Sequence, residues 1–530
     1  MRDEVARGDA CALSDGGQPP LALYLSRQFL PLEDRVLIAD WRLENVAFVA
    51  AYANKPLSPV SRAELLSQVR GRYGGTLVEL AIHGLARRFP ELSAQRVITH
   101  GQSIILYVTL LGVAEAFMHF PGPSWRLFVI AMTIGFCANN MFRVWLTLMA
   151  RQPSAPALSN VALPTYTIVA PLYHEAAVLP DLVRSLLALD YPRDRLDIKL
   201  VVEQDDPQTV AAAQALAAGE DVLDVIVVPS SDPRTKPKAA NYALTFARGE
   251  YLVVYDAEDR PEPDQLKKAV ATFRASSRDT ACLQARLTIF NAQDGWLPTM
   301  FALDYALWFG SLLPGLDRIG VPMPLGGTSN HFRTAVLRDI GGWDSFNVTE
   351  DADIGIRLAQ MGYRVSMLDS ATFEEAPIAV IAWLKQRSRW LKGYMQTWLV
   401  HMRDPAALMR RTGFKGFMAF QLFIGGGVLF ALTNPLLWGV FLGTLLWRAV
   451  TGVHTPSLVI PGAGLLTNNV LLTYLAVMVP RRRGWDALAP YGLTVIVYWA
   501  LASVAGYRGV WQLIKRPFYW DKTTHGVARK

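Results

Sequence analysis

Six short stretches of this sequence combine side chains that chemistry uses together. In Tyr255-Asp256-Ala257-Glu258-Asp259 the carboxylates of Asp256 and Glu258 form an Asp-x-Glu pair directly after an apolar run. Such a pair offers hard oxygen ligands through which Mg²⁺ or Mn²⁺ bridges to a phosphate, although a solvated acidic turn has the same composition. Lys236 and Lys238 stand beside a helix start and suit a diphosphate, as does the positive end of that helix. Thr349-Glu350-Asp351-Ala352-Asp353 opens another helix. Asp351, beside Glu350, is there either a general base whose reach the helix fixes or a plain cap. Tyr173-His174-Glu175 and Glu203-Gln204-Asp205-Asp206 offer carboxylates to a uracil and to ribose hydroxyls, or cap the helices that follow. Finally, Gln386, Arg389 and Trp390 share one helix face. An indole stacks on a sugar ring and a guanidinium meets phosphate in a fork, unless the trio is a membrane-interface belt. Together these parts serve metal-assisted transfer of a sugar from a nucleoside diphosphate to a hydroxyl.

The elements that must hold them read as α/β. Strands are expected at Tyr166–Ala170, Ile198–Glu203, Val225–Val228 and Tyr251–Tyr255, with helices such as Val178–Leu189 and Thr209–Ala218 between them. This is the rhythm of a mostly parallel sheet, whose ligands sit at the carboxyl ends of the strands, where the acidic groups lie.

Around that block the composition changes. Hydrophobic residues make up 52% of the 530 and charged ones 18%, below the roughly 25% usual for soluble domains. The excess sits in long apolar runs. Ser103–Met118 and Leu127–Ala150, separated by Pro121-Gly122-Pro123, predict a membrane hairpin. Glu115 and Arg143 lie inside it, lining a polar path or satisfied near the headgroups. Trp296–Leu313 and Ile378–Val400 mix aromatic residues with charge, as helices in the interface plane do. Residues 414–447 are two helices or one broken at Thr433-Asn434-Pro435, and Leu458–Val479 and Leu488–Ile514 follow. Basic residues flank the runs, as in Arg481-Arg482-Arg483 and Lys515-Arg516, which fits an anionic membrane edge and excludes nucleic acid as the partner of the net charge of +7. To keep the tail cytosolic, four C-terminal spans are expected. Cys11, Cys137 and Cys282 are far apart and support neither a zinc site nor a disulfide framework.

The division expected is therefore a disordered tail at 1–20, a small cytosolic α/β domain at 21–99, a transmembrane hairpin at 100–151 and a catalytic domain at 152–376. An interfacial helix at 377–413, spans within 414–514 and a cytosolic tail at 515–530 complete it. The 21–99 segment resembles the small domain at the front of some type II secretion ATPases and membrane glycosyltransferases, a regulatory or docking element or a passive folding module.

The order Asp206, Asp256-Ala257-Glu258, Thr349-Glu350-Asp351 and Gln386-x-x-Arg389-Trp390 resembles that of family-2 inverting glycosyltransferases of the cellulose and hyaluronan synthase type. The resemblance implies a GT-A catalytic domain inserted between transmembrane helices, on the cytosolic side of a bacterial inner membrane. It implies that Asp206 contacts the nucleotide, that Asp256 and Glu258 serve Mg²⁺ or Mn²⁺, that Asp351 is the base, and that Gln386, Arg389 and Trp390 hold acceptor and diphosphate. Leu325-Gly326-Gly327-Thr328-Ser329-Asn330-His331 resembles the family's acceptor-side loop, with Gly327, Thr328 and Ser329 at its centre. The tail Phe518–Gly526 recurs in bacterial glycan synthases of this type, as a lid bearing Trp520, Lys522, Thr523 and His525 or as an anchor beneath the membrane.

Three departures matter. Glu258 stands where many synthases carry Asp, the acceptor-side loop lacks the cysteine and paired aromatics of cellulose synthases, and no PilZ-type cyclic-di-GMP signature is present. The activity implied is processive addition of sugar from a UDP-sugar, most simply UDP-glucose, to a growing β-linked glycan, alone or with a partner subunit. Its rivals are single addition to a lipid carrier and a degenerate domain serving a transporter or receptor.

Overall fold

The computed structural model describes residues 36–38, 45–50, 58–156, 162–452 and 459–521. The expected tail at 1–20 and the lid residues Lys522, Thr523 and His525 lie outside these. Strands β1 (Val36–Ile38), β2 (Asn45–Ala50) and β3 (Ser58–Ser61) form an antiparallel three-stranded sheet. It runs into α1 (Arg62–Arg88), one continuous helix. Its apolar side, with Tyr73, Leu77, Val78, Ala81 and Ile82, joins the same core cluster as Val169, Val201 and Tyr242 of the catalytic block. Arg70 adds an ion pair to Asp224 at 2.9 Å. The segment 70–94 is thus built into the catalytic domain.

Next come α2 (His100–His119), opened by a Thr99–Gln102 capping box, and α3 (Pro121–Met149). The catalytic domain then lays down β4 (Tyr166–Leu172), α4 (Leu179–Leu187), β5 (Leu196–Glu203), α5 (Pro207–Ala217), β6 (Leu223–Val228), α6 (Lys236–Leu244) and β7 (Tyr251–Val254). The short β8 (Arg260–Pro261), α7 (Gln265–Ala275) and β9 (Thr280–Ile289) follow. Then come α8 (Trp296–Leu307), α9 (Leu313–Ile319), β10 (Asn330–Arg333), α10 (Thr334–Asp339), α11 (Glu350–Gln360) and β11 (Arg364–Glu374). The sheet order is β6-β5-β4-β7-β10-β9-β11-β8. The first four strands are parallel and β10 runs antiparallel to both its neighbours. Every residue of β5 is buried, as helices on both faces of a parallel sheet require. The interior Lys199 is tolerated because Asp197 and Asp224 each approach it to 2.8 Å.

Beyond the sheet lie α12 (Val380–His401), α13 (Pro405–Phe420), α14 (Gly426–Thr451), α15 (Val459–Arg481) and α16 (Val495–Lys515). Five helices among the described residues are long and apolar enough to cross a membrane, three of them C-terminal where four were expected. No turn forms at Thr433-Asn434-Pro435: α14 continues through Pro435. Thr433 Oγ1 donates back to Leu429 O at 2.8 Å within the same helix. The expected interfacial helices are also more enclosed than their composition implied. Nearly all of α8 is buried, and α12 carries ten buried residues, between the sheet and the apolar helices.

Candidate active site

The chemistry-bearing residues converge at the carboxyl edge of the parallel strands. At the end of β4, His174 takes a positive φ of 53°, and its N–H donates to Asp206 Oδ2 at 2.5 Å. Asp206 also caps α5 by accepting from Thr209 N–H at 3.3 Å and is 2% exposed. It therefore shapes the turn that presents Tyr173 and Glu175 and does not line the cavity, contrary to the nucleotide contact expected of it. Lys238 is likewise turned inward, fully buried against Glu203 at 2.8 Å. The cation that faces the site at this end is instead Arg234, 2.6 Å from Asp205.

Lys236, at the first position of α6, reaches the centre. Its Nζ lies 2.6 Å from Asp256 Oδ1 and also donates to the carbonyl of Gly327, tying the carboxylate after β7 to the acceptor-side loop. Burial disfavours its charge, but Asp256, Asp351 and Glu350 outweigh that and hold the ammonium well above its usual range. In the loop Leu325, Gly326 and Gly327 face the cavity. Thr328 is fully buried, donating to Val254 O at 3.1 Å and to Asp259, and Ser329 donates to Thr372 Oγ1 at 2.6 Å. Both secure the loop and leave the cavity to Leu325 and the two glycines.

Asp351 lies in the first turn of α11 and accepts from Asn330 Nδ2 at 3.2 Å. Burial, then the neighbouring Glu350, pushes its carboxyl well above the usual range, while Lys236 and Asn330 pull the other way. Glu258 is pushed up to about 8, first by burial and then by Asp256. Glu374, at the end of β11, is raised by burial and by Glu258, and Tyr305 hydrogen-bonds it. Glu374 escaped the sequence reading, though Glu374-Glu375 follows a strand just as the other acidic groups do. No group of three or more His, Cys, Asp or Glu among the described residues is arranged to hold a metal by itself. The acidic excess around Asp256 and Glu258 nonetheless fits a divalent cation whose remaining ligands come from a diphosphate.

From α12, Gln386, Arg389 and Trp390 all face this cavity. The Arg389 guanidinium stands 5.1 Å over the Trp520 ring, so the described part of the tail closes one side. Lys392 Nζ holds Tyr519 O at 2.6 Å and Gln396 holds Pro517 O at 3.2 Å. Arg387, the intervening residue, is the fastener: it pairs with Asp304 at 2.6 Å, donates to Tyr498 at 2.7 Å, and lies 4.5 Å over Trp390. Trp390 in turn stacks on Tyr305 at 6.4 Å.

The cavity, about 460 Å³, does not end at the carboxylates. It passes Trp308, Trp390, Tyr394, Tyr498 and Trp499 and continues between α3, α14 and α16, where Asn139, Asn140, Arg143, Asn434 and Ser503 line it.

Residues 164–393 match the model of a family described as "Glycosyltransferase like family 2". The beta-monoglucosyldiacylglycerol synthase of Trichormus variabilis is 28% identical over 241 residues, 45% of this chain and 50% of that protein. Glucomannan 4-beta-mannosyltransferase 1 of Oryza sativa is 24% identical over 245 residues, 45% of this chain and 47% of that protein. The chain spans about half the length of the curated relatives it matches. Among solved structures, the mannosyltransferase PcManGT of Pyrobaculum calidifontis, in complex with GDP-Man and Mn²⁺, is 21% identical with a TM-score of 0.48. That match covers 72% of this chain and 97% of that one.

Proposed function

We propose, on the premise that residues 164–393 form a family-2 glycosyltransferase domain, that the protein extends a β-linked glycan from a UDP-sugar, most simply UDP-glucose. The transfer takes place beneath a bacterial cytoplasmic membrane. The observation that carries this reading is the continuity of the cavity from Asp256 and Asp351 into the helices. Aromatic faces and amides along it are the side chains that hold sugars, and a site adding a single sugar has no use for a row of them.

In this reading Tyr173, Glu175, Glu203 and Arg234 hold base and ribose. Asp256 and Glu258 would hold Mg²⁺ or Mn²⁺, which when bound offsets charge on the departing diphosphate. Lys236 and Arg389 place two cations beside the same leaving group. Asp351, ionised and with its proton affinity raised by burial, accepts the proton of the acceptor hydroxyl as the sugar moves across with inversion. Trp390, oriented by Arg387, supports the sugar next to the one being extended. The glycines of the loop let backbone approach it closely.

The test is incorporation of radiolabelled UDP-sugars by the purified protein in lipid vesicles with Mg²⁺ or Mn²⁺, beside Asp351→Asn. The expected result is long product from one donor and a loss of about 10²–10⁴-fold in the variant, as for removal of a general base. A single sugar on lipid would refute repeated addition. Undiminished transfer by Asp351→Asn would remove Asp351 as the base.

A further inference from the structure

One carboxylate on the cavity wall has no role in the transfer step. Glu374 ends β11, and the strands beside it fix where its side chain stands. On one side Phe373 pairs with Arg260 of β8, two residues after Glu258 of the metal pair. On the other side Glu374 pairs with Ile289 of β9, and its carbonyl accepts from Phe290 N–H at 3.0 Å. Two residues back, Thr372 accepts from Ser329 Oγ of the acceptor-side loop at 2.6 Å. Just beyond, Asn291 Nδ2 donates to Ala376 O at 3.0 Å and Asn291 Oδ1 accepts from Ala376 N–H at 2.8 Å. Glu374 is thus pinned between the metal pair, the acceptor-side loop and the segment that leads into α8.

Its carboxylate is oriented from α8. Tyr305 hydrogen-bonds it, and burial keeps that phenol protonated, so Tyr305 donates and Glu374 accepts. The Tyr305 ring has no freedom to swing away. It packs on Phe301 at 4.8 Å and Phe309 at 5.2 Å and stacks on Trp390 at 6.4 Å. An ionised carboxylate has about four acceptor positions, so one phenol leaves most of them to the cavity. Lys236, the cation whose charge reaches Glu374, is held by Asp256 at 2.6 Å. Acceptor positions withdrawn from water in this way cost free energy unless a ligand supplies donors. A metal is one answer, but no group of three or more His, Cys, Asp or Glu among the described residues is arranged to hold one. Sugar hydroxyls are the other. Glu374 stands between the metal pair beside the leaving diphosphate and the Trp390 face that supports the acceptor, which is where the sugar in transit has to lie.

We propose that Glu374, oriented by Tyr305, accepts hydrogen bonds from hydroxyls of the sugar being transferred and thereby selects a neutral donor sugar. A uronate in that place would set its own carboxylate among Asp256, Glu258, Asp351 and Glu374, and like charge disfavours it. The proposal rests on the transferase reading above and deepens it by naming the group that reads the donor sugar.

Affinities of UDP, UDP-glucose, its monodeoxy analogues and UDP-glucuronate for the full chain in nanodiscs with Mn²⁺ test it, with Glu374→Ala and Glu374→Gln as variants. The expected result is that the wild type binds at least one deoxy analogue about 10–100-fold more weakly than UDP-glucose, the range of a hydrogen bond to a charged group. In Glu374→Ala that analogue and UDP-glucose should bind alike, because the partner of the missing hydroxyl is gone. Glu374→Gln, still an acceptor, should keep part of the discrimination. It should also narrow the wild type's preference for UDP-glucose over UDP-glucuronate, which is expected to be about tenfold or more. Retained UDP binding shows that the variants are folded. The proposal is overturned if no deoxy analogue is weakened in the wild type, if the weakening is the same in Glu374→Ala, or if UDP-glucuronate binds as tightly as UDP-glucose. A loss of Mn²⁺ affinity at saturating UDP in Glu374→Ala, with the deoxy discrimination unchanged, overturns it in favour of a cation ligand. UDP itself separates the two readings: missing discrimination with UDP bound overturns this one alone, and missing UDP binding overturns the transferase reading with it.

Discussion

Removing the side chain of Asn330 should move the acid limb of the pH–rate profile, because Asn330 donates to the carboxylate that must be ionised. Its Nδ2 bonds Asp351 Oδ1 at 3.2 Å and the Gly326 carbonyl at 2.8 Å, inside a fully buried site. Burial and Glu350 already raise the Asp351 carboxyl, and Asn330 is one of two groups opposing them. A hydrogen bond to a charged group contributes about 1.5–3 kcal/mol. At 3.2 Å this bond is long and belongs at the low end. Since one pKa unit corresponds to about 1.4 kcal/mol, Asn330→Ala should raise the apparent pKa by about one unit. The sign follows from the mechanism: the reacting form is the carboxylate, so activity is lost as pH falls, and in the variant it is lost at a higher pH. The assay is kcat/KM for sugar transfer across pH 5–9, which reports the free enzyme, beside the melting temperature of each protein. A uniform loss at every pH with an unmoved limb would refute the assignment of Asp351 as the base tuned by Asn330.

Gly355→Ala should cost activity out of proportion to stability. A Cβ there would lie 2.1 Å from Met323 O, which pushes α11 and its Asp351 away from the segment leading to Gly326. Overpacking costs roughly 1–3 kcal/mol in denaturant titrations, but a displaced base lowers kcat by about 10². Arg387→Lys keeps a charge and loses the fork that spans Asp304 and Tyr498. Trp390 should lose its fixed orientation, raising the KM for acceptor about tenfold while the donor KM stays. An unchanged acceptor KM would separate Arg387 from acceptor binding. At the back of the sheet, Asp224 is held down to about 2, with Lys199 and Arg70 overcoming burial. Its pairing therefore stabilises the fold above the ordinary carboxylate range and is lost as pH falls from about 4 towards 2. Arg70→Ala should lower stability by about 1 kcal/mol at neutral pH and flatten that acid decline. An identical acid decline in the variant would mean that α1 is not anchored through this pair.

What the sequence made legible was the chemistry carried by local order, and what it hid was which way each side chain turns. Asp256, Glu258, Glu350, Asp351, Gln386, Arg389 and Trp390 were named from residue type and position after a strand or at a helix start, and all seven face one cavity. The same rule named Asp206 and Lys238, which do not. Their orientation is decided by partners far along the chain, Glu203 for Lys238 and the His174 backbone for Asp206, that no local pattern reports. Thr328 and Ser329 fail the same way, because loop residues that look available are the ones holding the loop down. Glu374 was missed for the opposite reason: β11 is an edge-side strand with mixed burial, so its acidic end did not stand out against an apolar run. Trp308 and Tyr305 read as interfacial aromatics, which their burial beneath α12 contradicts.

The membrane topology shows how one charge rule can be met by more than one arrangement of helices. The Arg triplet after α15 and the basic tail after α16 both favour the cytosol, and a single crossing between them would forbid that, so a fourth span was invoked. The structure removes the conflict differently. Along α16, Tyr498 meets Trp383 at its hydroxyl at 3.2 Å, a Cβ on Gly509 would lie 3.0 Å from Ser388 O, and beyond it Pro517 accepts from Gln396. Successive positions of α16 thus follow successive positions of α12 from one end to the other, while Trp296 on α8 bonds Thr494 just before α16 begins. Both ends of α16 therefore contact α8 or α12, although its length and hydropathy suffice for a span. The Arg triplet and the tail can then share a side with only α14 and α15 crossing among the C-terminal helices. The same placement is what brings Tyr498, Trp499 and Ser503 to the cavity wall.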